Sequence, residues 1–268
     1  MDLFLGVKIP AVKMQTLVYN VVDGKPLDMD VYSPSKADTP LPVIVMIHGG
    51  SWSSGDKRDL ASINRYLAAR GYCVASINYR LAPPDPYPAA KEDALAAIRY
   101  LKDHARELNL DPAHFVLMGR SAGGQIALAA AYTGADPSVR GVISLYAPND
   151  LVLGYAMPSN PWILNSRKVL EDYLGGPPSA HPGAYEAASP LNFVNARTPP
   201  TLMIHGYRDE FVSPIHDERL EARLAEFKRP HLFLRLPWAL HGCDANLSGP
   251  SGQLSLYAME RFLAFVSH

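Results

Sequence analysis

Short apolar runs alternate with longer helical stretches along most of this sequence, and that alternation restricts the folds open to the chain. The unbroken run Val43–Ile47 is typical of a strand buried on both faces of a parallel sheet. Leu27, Met29 and Val31 alternate with polar residues, which predicts a half-buried strand paired antiparallel with Leu17–Val22. The remaining predicted strands are Tyr72–Ile77, Phe115–Met118, Val142–Tyr146, Thr201–Ile204 and Leu232–Leu236.

Helices are predicted between several of these strands. The main ones are Ala90–Leu108, the Ala-rich Gln125–Tyr132, and Gln253–Val266, whose apolar residues recur at helical spacing. Strands that alternate with helices form βαβ units. The sequence therefore predicts an α/β fold, with a doubly wound, mostly parallel sheet of eight strands and helices on both faces. At 268 residues, the chain fits one large domain spanning residues 1–268.

One segment, Asn149–Ala188, interrupts the alternation. It contains the Pro- and Gly-rich clusters PSNPW, GGPP and SAHPG, and only one helix is predicted in it, near Ser166–Tyr173. A long connection between two sheet strands is usually either functional or disordered. Because the segment also holds Trp162, Tyr173 and Tyr185, we expect a small ordered cap inserted into the domain.

Composition excludes several classes of function. The net charge of −1 and the pI of about 6.8 give no basic surface for nucleic acid. No run approaches the roughly 20 apolar residues of a membrane-spanning helix, so no membrane partner is expected. The N-terminal MDLFLGVKIPAVKM lacks a long apolar core and a small-residue cleavage site, so no signal peptide is predicted. The two cysteines, Cys73 and Cys243, favour free thiols and a cytoplasmic location.

No cofactor is expected. The sequence has no G-x-G-x-x-G or Walker pattern, and therefore no sign of a nucleotide site. Cys243 follows His241 by two residues, but the spacing of histidines and cysteines does not suggest metal ligation, so no metal is expected. The oligomeric state is left open between a monomer and a homodimer.

Residues 119–123 read G-R-S-A-G, a G-x-S-x-G pattern. The pattern follows the apolar strand FVLM and precedes the Ala-rich helix, which is the strand–turn–helix context of a nucleophile elbow. Such a turn is too tight for side chains at the two glycine positions. It would expose the hydroxyl of Ser121 and place the amide of Ala122 at a helix N-terminus, where negative charge is favoured.

A second glycine-containing motif, H-G-G-S-W at residues 48–52, directly follows the strand Val43–Ile47. Glycines at this position let backbone amides face a cleft without obstruction, and acyl transfer needs such donors for the oxyanion of its intermediate. We expect the oxyanion hole to be formed by the amides of Ala122 and Gly50, with Ser51 or Gly49 supplying a third. His48 is expected to be structural.

Together with the segment NYRLAPPDPYPAAKEDALAAIRYL, HGYRDEFV and the late ALHG, these motifs resemble the hormone-sensitive-lipase-like and feruloyl-esterase-like branch of the α/β-hydrolase superfamily. The resemblance runs from about Leu17 to the C-terminus and is weakest in 149–188. The chain departs from the commonest pattern in having HGGS for HGGG and GRSAG for GDSAG. Neither change removes a backbone amide, but Arg120 places a cation where an acid is common.

The acid and the base of a triad would follow Ser121 in chain order. Asp209 lies just past the strand Thr201–Ile204, at the same carboxyl edge of the sheet as Ser121, and matches the H-G-x-x-D position of the family. Glu210 and Asp217 are the alternative acids. His241 follows the final strand and precedes Gly242, matching the last catalytic position of the family.

These roles predict a serine esterase that acts on small-molecule carboxylic esters through an acyl-enzyme on Ser121. A short cap favours short acyl chains. The alternatives are an arylformamidase-like amidase, an exopeptidase or an acyltransferase, since the HGGSW loop is also similar to that of kynurenine formamidases. A more remote one is a non-catalytic ligand-binding homologue, such as the plant gibberellin receptors, which resemble this branch but lack a working triad.

Overall fold

A computed structural model of the protein describes residues 11–267. The N-terminal residues on which the signal-peptide prediction mainly depends lie outside this range. The strands are β1 (Val12–Val22), β2 (Lys25–Pro34), β3 (Leu41–Ile47), β4 (Cys73–Ile77), β5 (Leu110–Arg120), β6 (Val139–Leu145), β7 (Thr201–Gly206) and β8 (His231–Leu236). The helices are α1 (Ala61–Ala69), α2 (Ala89–Asp103), α3 (Ala105–Leu108), α4 (Ala122–Gly134), α5 (Leu151–Ala156), α6 (Ser166–Leu174), α7 (Pro182–Ala188), α8 (Ile215–Glu226) and α9 (Pro250–Val266). Two single 3-10 turns span Lys57–Leu60 and Pro190–Phe193.

The eight strands form one sheet in the order β1-β2-β4-β3-β5-β6-β7-β8. The pairs β1–β2 and β2–β4 are antiparallel, and every other neighbouring pair is parallel. This confirms the predicted α/β fold and its mostly parallel sheet. Parallel strands bring their carboxyl ends to one edge, so the loops after β3, β5, β7 and β8 meet there.

The core lies on both faces of the sheet because successive side chains of β3 point in opposite directions. Val43, Val45 and Ile47 pack in the core that contains α2 and α4. Ile44 and Met46 pack in the second core, with α1 and α9. The unbroken apolar run of β3 therefore reflects burial on both faces, as predicted. Within residues 11–267, no helix combines the length and the apolar character needed to cross a bilayer.

The helices differ from the prediction in two regions. The predicted helix Ala90–Leu108 is two helices that meet at His104. The Nδ1 atom of His104 forms a hydrogen bond with the carbonyl of Tyr100 at 2.8 Å, and its ring stacks on the Tyr100 ring. The segment 149–188 contains three helices rather than one. The first begins at Asp150, whose carboxylate accepts the Leu153 amide at 3.0 Å and so caps the N-terminus of that helix.

Candidate active site

Ser121 lies in the turn between β5 and α4, with φ 51° and ψ −121°. This conformation is strained for a non-glycine residue and is typical of positions where function requires it. A Cβ atom on Gly119 would overlap the carbonyl of Gly123, and one on Gly123 would overlap the carbonyls of Ile47 and His48. The two glycines of the motif are therefore needed by the close approach of backbone segments, as the sequence predicted.

Two further sequence-predicted residues lie beside Ser121. The Nε2 atom of His241 lies 3.1 Å from Ser121 Oγ, and its Nδ1 lies 2.6 Å from Asp209 Oδ2. Since an ionised carboxylate only accepts hydrogen bonds, Nδ1 carries the proton and Nε2 is free to accept from the serine. The alternative acid Glu210 is exposed, and the other alternative, Asp217, bonds a different histidine.

The carboxylate of Asp209 is fully buried. Its Oδ1 accepts the amides of Phe211 at 2.8 Å and Val212 at 2.9 Å. Burial alone would raise the pKa of Asp209, but hydrogen bonds from His205 and His241 outweigh it and hold this pKa well below its ordinary value. Asp209 is therefore an ionised group beside the imidazole of His241.

The imidazole of His241 also has aromatic neighbours. The buried ring of Tyr146 meets it edge-on, with ring centres 4.5 Å apart. Phe211 lies on another side, with its ring centre 5.1 Å away, and is 39% exposed. These contacts restrict rotation of the imidazole.

The loop after β3 brings the predicted oxyanion residues next to the serine. A Cβ on Gly49 would lie 3.5 Å from the Cβ of Ser121. Gly50 has φ 114°, and a side chain there would overlap the carbonyl of Ser54. Ser51 and Trp52 also have positive φ, at 54° and 58°. This tight course requires glycine at position 50.

The carbonyls of this loop show where its amides point. The carbonyl of Gly49 accepts the ring of His48 at 2.7 Å, and that of Gly50 accepts the amides of Ser53 and Ser54, both at 3.0 Å. The next amide along the chain points the opposite way in a planar trans peptide. The amides of Gly50 and Ser51 therefore face away from these bonds, and within residues 11–267 neither donates to a protein acceptor, nor does that of Ala122.

His48 is structural in this geometry, as predicted. It is buried, and its ring stacks on Tyr79 with ring centres 4.3 Å apart. Burial lowers the pKa of His48, so the ring is neutral and donates to the carbonyl of Gly49.

Gln125 connects the loop after β3, which carries Gly49–Trp52, to the 149–188 segment, a link that the sequence did not indicate. Its Oε1 accepts from Trp52 Nε1 at 2.9 Å and from the hydroxyl of Tyr173 at 3.2 Å, while its Nε2 donates to the carbonyl of Ala188 at 2.7 Å. The rings of Trp52 and Tyr173 stack at 4.3 Å. The four residues that take part, Gln125, Trp52, Tyr173 and Ala188, are all buried. The segment is thus attached directly to the loop beside Ser121.

Arg120, the departure from the family pattern, has a partner that sequence analysis missed. Its Nε donates to Asp244 Oδ2 at 2.6 Å, and Tyr146 donates to Asp244 Oδ1 at 2.7 Å. The carboxylate of Asp244 is fully buried. The cation next to the serine is therefore neutralised by an acid three residues after His241, which ties the loop that carries the histidine to the turn that carries the serine.

Of the three aromatic residues that predicted an ordered 149–188 segment, Tyr173 and Tyr185 are buried, but Trp162 is 95% exposed. His216 is buried in α8. Both free cysteines are present as predicted, Cys73 buried and Cys243 partly so. Among the described residues, no group of three or more metal-binding side chains is assembled.

A family model described as BD-FAE matches residues 29–224 of the chain. Among curated proteins, "Probable carboxylic ester hydrolase LipM" of Mycobacterium tuberculosis is 30% identical over 240 residues, which cover 84% of this chain and 54% of LipM. The chain spans about half the length of the curated relatives it matches.

Solved esterase structures share the fold. A bacterial heroin esterase superposes with a TM-score of 0.82 at 23% identity, covering 97% of this chain and 86% of that one. The esterase Est2 of the planctomycete Thermogutta terrifontis, solved with butyrate bound, gives 0.78 at 24% identity and covers 94% of both chains.

Proposed function

The chain belongs to the BD-FAE family of the α/β-hydrolase superfamily, and on this premise we propose that it is a serine esterase acting on small carboxylic esters. The observation that carries the proposal is the hydrogen-bonded series Ser121–His241–Asp209 beside the unpaired amides of Gly50, Ser51 and Ala122. A nucleophile, its base and donors for an oxyanion are what acyl transfer requires.

In the proposed reaction, His241 takes the proton of Ser121 as the serine oxygen attacks the ester carbonyl. The carbonyl oxygen becomes an oxyanion held by backbone amides, with Gly50 and Ala122 as the main donors and Ser51 or Gly49 as the third. As the carbon–oxygen bond breaks, His241 returns the proton to the departing alcohol. Water, deprotonated by His241, then hydrolyses the acyl-enzyme, while Asp209 stabilises the imidazolium that forms in both steps.

We propose a preference for short acyl chains. The 149–188 segment is short and compact, and two of its aromatic residues are buried in packing rather than facing a channel. Each CH₂ that enters a pocket adds about 0.8 kcal/mol to binding, so affinity rises with acyl length only until the pocket ends. Est2, which shares the fold, was solved with butyrate and with propionate, both short acids.

A panel of p-nitrophenyl esters of increasing acyl length tests this function, with Ser121→Ala as the matched background. We expect kcat/KM to be highest at about C2 to C6 and to have fallen sharply by about C12, because the pocket no longer accommodates the chain. Phenolic acetates are the first substrates to try. Efficient hydrolysis of emulsified long-chain triglyceride would contradict the preference.

The rival amidase function is tested with the same preparation. N-formylkynurenine is compared with the best ester of the panel under identical conditions, and we expect the ester to be preferred. A higher kcat/KM for the formamide would replace the esterase proposal. A fluorophosphonate probe should label the wild type and not Ser121→Ala, and failure to label would favour a non-catalytic binding protein.

A further inference from the structure

A second histidine, His205, lies behind the proposed triad. It belongs to β7 and lies between two carboxylates, with Nε2 3.1 Å from Asp209 Oδ2 and Nδ1 2.8 Å from Asp217 Oδ2. All three side chains are fully buried. Both ring nitrogens therefore face acidic groups in a region without access to solvent.

The acceptors around the ring indicate where its protons are. Besides Asp209, Nε2 lies 3.0 Å from the carbonyl of Val212, which can only accept, so Nε2 carries a proton. On the other side, Asp217 receives a hydrogen bond at its second oxygen from Asn149 Nδ2, at 2.9 Å. A carboxylate that already accepts a hydrogen bond at one oxygen is arranged to accept a second one, from the Nδ1–H group of His205, at the other oxygen. The ring is thus surrounded by acceptors and fits the imidazolium form.

The charges of the neighbouring elements agree with this form. Burial would lower the pKa of His205, but the hydrogen bonds that its ring donates to the two carboxylates outweigh it and raise the pKa to about 9. From α8, the buried His216 is neutral, because burial lowers its pKa to about 4. Asp150, which lies next to His216, forms an ion pair with Arg219 at 2.9 Å. The uncharged hydroxyl of Tyr132, in α4, forms a hydrogen bond with the hydroxyl of Thr201. The unbalanced charges that face the ring are therefore the two carboxylates.

The sum of these charges matters for catalysis. A cation bonded to Asp209 alone would cancel the negative charge that the imidazolium of His241 needs during the reaction. Asp217 balances that cation, so Asp209 keeps its full charge toward His241. Building on the proposed function, we propose that His205 is a positioning residue that stays protonated through the catalytic cycle and, balanced by Asp217, holds Asp209 as an oriented carboxylate.

The first test uses the unmodified protein and does not depend on its activity. The ¹⁵N resonances of the histidine rings are followed by NMR from pH 5 to 8. We expect both nitrogens of His205 to remain protonated over the whole range, whereas an ordinary imidazole titrates near about pH 6.5. Titration of His205 within the range, or a single protonated nitrogen, would overturn the proposal.

The second test removes the balancing charge while keeping the shape, in Asp217→Asn. The cation of His205 then opposes Asp209, which makes His241 a weaker base. We expect kcat/KM near neutral pH to fall by up to about tenfold, the effect of one pKa unit in a base. The loss should diminish at lower pH, where the weaker base is also less often protonated, and at higher pH, where His205 gives up its proton more readily than in the wild type. KM should stay within about twofold because no substrate contact changes. A merely structural Asp217 would not produce a loss that depends on pH.

A matched control is Asp111→Asn, which removes the carboxylate from a second His–Asp pair, His114 and Asp111 at 2.7 Å, that is partly exposed. It should leave the pH profile of activity unchanged. A pH profile of kcat/KM for Asp217→Asn that matches the wild-type profile would overturn the proposal while leaving the esterase function intact.

Conversely, a wild-type protein without esterase activity would remove the proposed function. The NMR measurement would then still report the charge of His205. If Asp217→Asn does not fold, the wild-type titration alone decides.

Discussion

Ser121 and Asp209 lie at the same edge of the sheet, but different interactions hold them there. Backbone geometry fixes the serine, since its φ of 51° and the close approach of Gly119 and Gly123 to neighbouring carbonyls define the turn. Two backbone amides hold one oxygen of the acid, but its other oxygen is fixed by buried side-chain charges, through His205 and, behind it, Asp217.

The two arrangements carry different costs when they are altered. A strained turn tolerates few residue types at its glycines but does not require the surrounding charges to balance. A buried network of charges becomes costly when one partner is lost, because a buried charge is left unpaired. The serine side of the site should therefore be sensitive to added atoms, and the acid side to changes in charge.

The largest effect is expected where both sides meet, at the reacting groups themselves. Ser121→Ala or His241→Ala should reduce kcat by about 10⁶-fold, since the triad acts as a unit, and the double variant should be little worse than either single one. Activity is measured with the best ester of the panel, and circular dichroism controls for folding. If either variant retained more than about a tenth of the activity, that residue would not belong to the catalytic group.

Asp209→Asn tests the acid side next. The amide keeps the shape but stabilises the wrong tautomer of His241, and in a comparable triad this change costs about 10⁴-fold in kcat. Glu210→Gln, one residue away and exposed, is the control and should be nearly silent. The opposite result, a mild Asp209→Asn and a severe Glu210→Gln, would mean that the acid has been misassigned.

Gly123→Ala tests the serine side by adding one methyl group. Its Cβ would overlap the carbonyls of Ile47 and His48, so β3 and the turn must move apart. We expect a loss of about 100-fold in kcat, because the serine and the oxyanion loop separate, together with a loss of about 3 kcal/mol of unfolding free energy. Gly183→Ala, where a Cβ meets no atom within 4 Å, is the matched control for kcat and for denaturant unfolding. Equal behaviour of the two variants would show that the turn is not fixed by its backbone.

The smallest effect on activity is expected at Arg120 and Asp244, where the serine side does use a charge. Arg120→Gln and Asp244→Asn should each cost about 3 kcal/mol of stability, since each leaves a buried partner unpaired, but only several-fold in kcat. The double variant should lose less than the sum, because no unpaired charge remains. Denaturant unfolding of the four proteins gives the coupling, and strict additivity would show that the pair contributes nothing.

The features that follow from backbone requirements could be predicted from the sequence. The alternation of apolar runs with helical stretches predicted the sheet. The unbroken apolar run Val43–Ile47 predicted a strand that is buried on both faces. The glycines on either side of Ser121 and at position 50 predicted tight turns in which a larger residue would not fit. Chain order then placed Asp209 and His241 at the same edge as the serine. The structure brings all of these residues together.

The supporting side chains could not be predicted, because their contacts join distant parts of the chain. Arg120 and Asp244 are 124 residues apart, and nothing in either segment identifies the other. His216 shares the buried face of the polar helix IHDERLEARLAE with Leu220 and Leu224, at a spacing of four residues, but a titratable side chain at that spacing does not by itself indicate burial. The sign of a link between His205 and Asp209 that the sequence offers is the position of both residues in the H-G-x-x-D motif. The second partner of His205, Asp217, is seen only in the structure.

The contact between Trp52 and Tyr173 has a consequence for how turnover begins. Tyr173 shares the side chain of Gln125 with Trp52, which lies in the loop to which we assign the oxyanion amides, so moving the 149–188 segment aside would also disturb that loop. If the proposed esterase function is right, we expect no closed form of the segment that must open before turnover. We therefore expect progress curves that are linear from the moment of mixing, with neither a lag nor acceleration when the substrate passes its solubility limit and forms droplets.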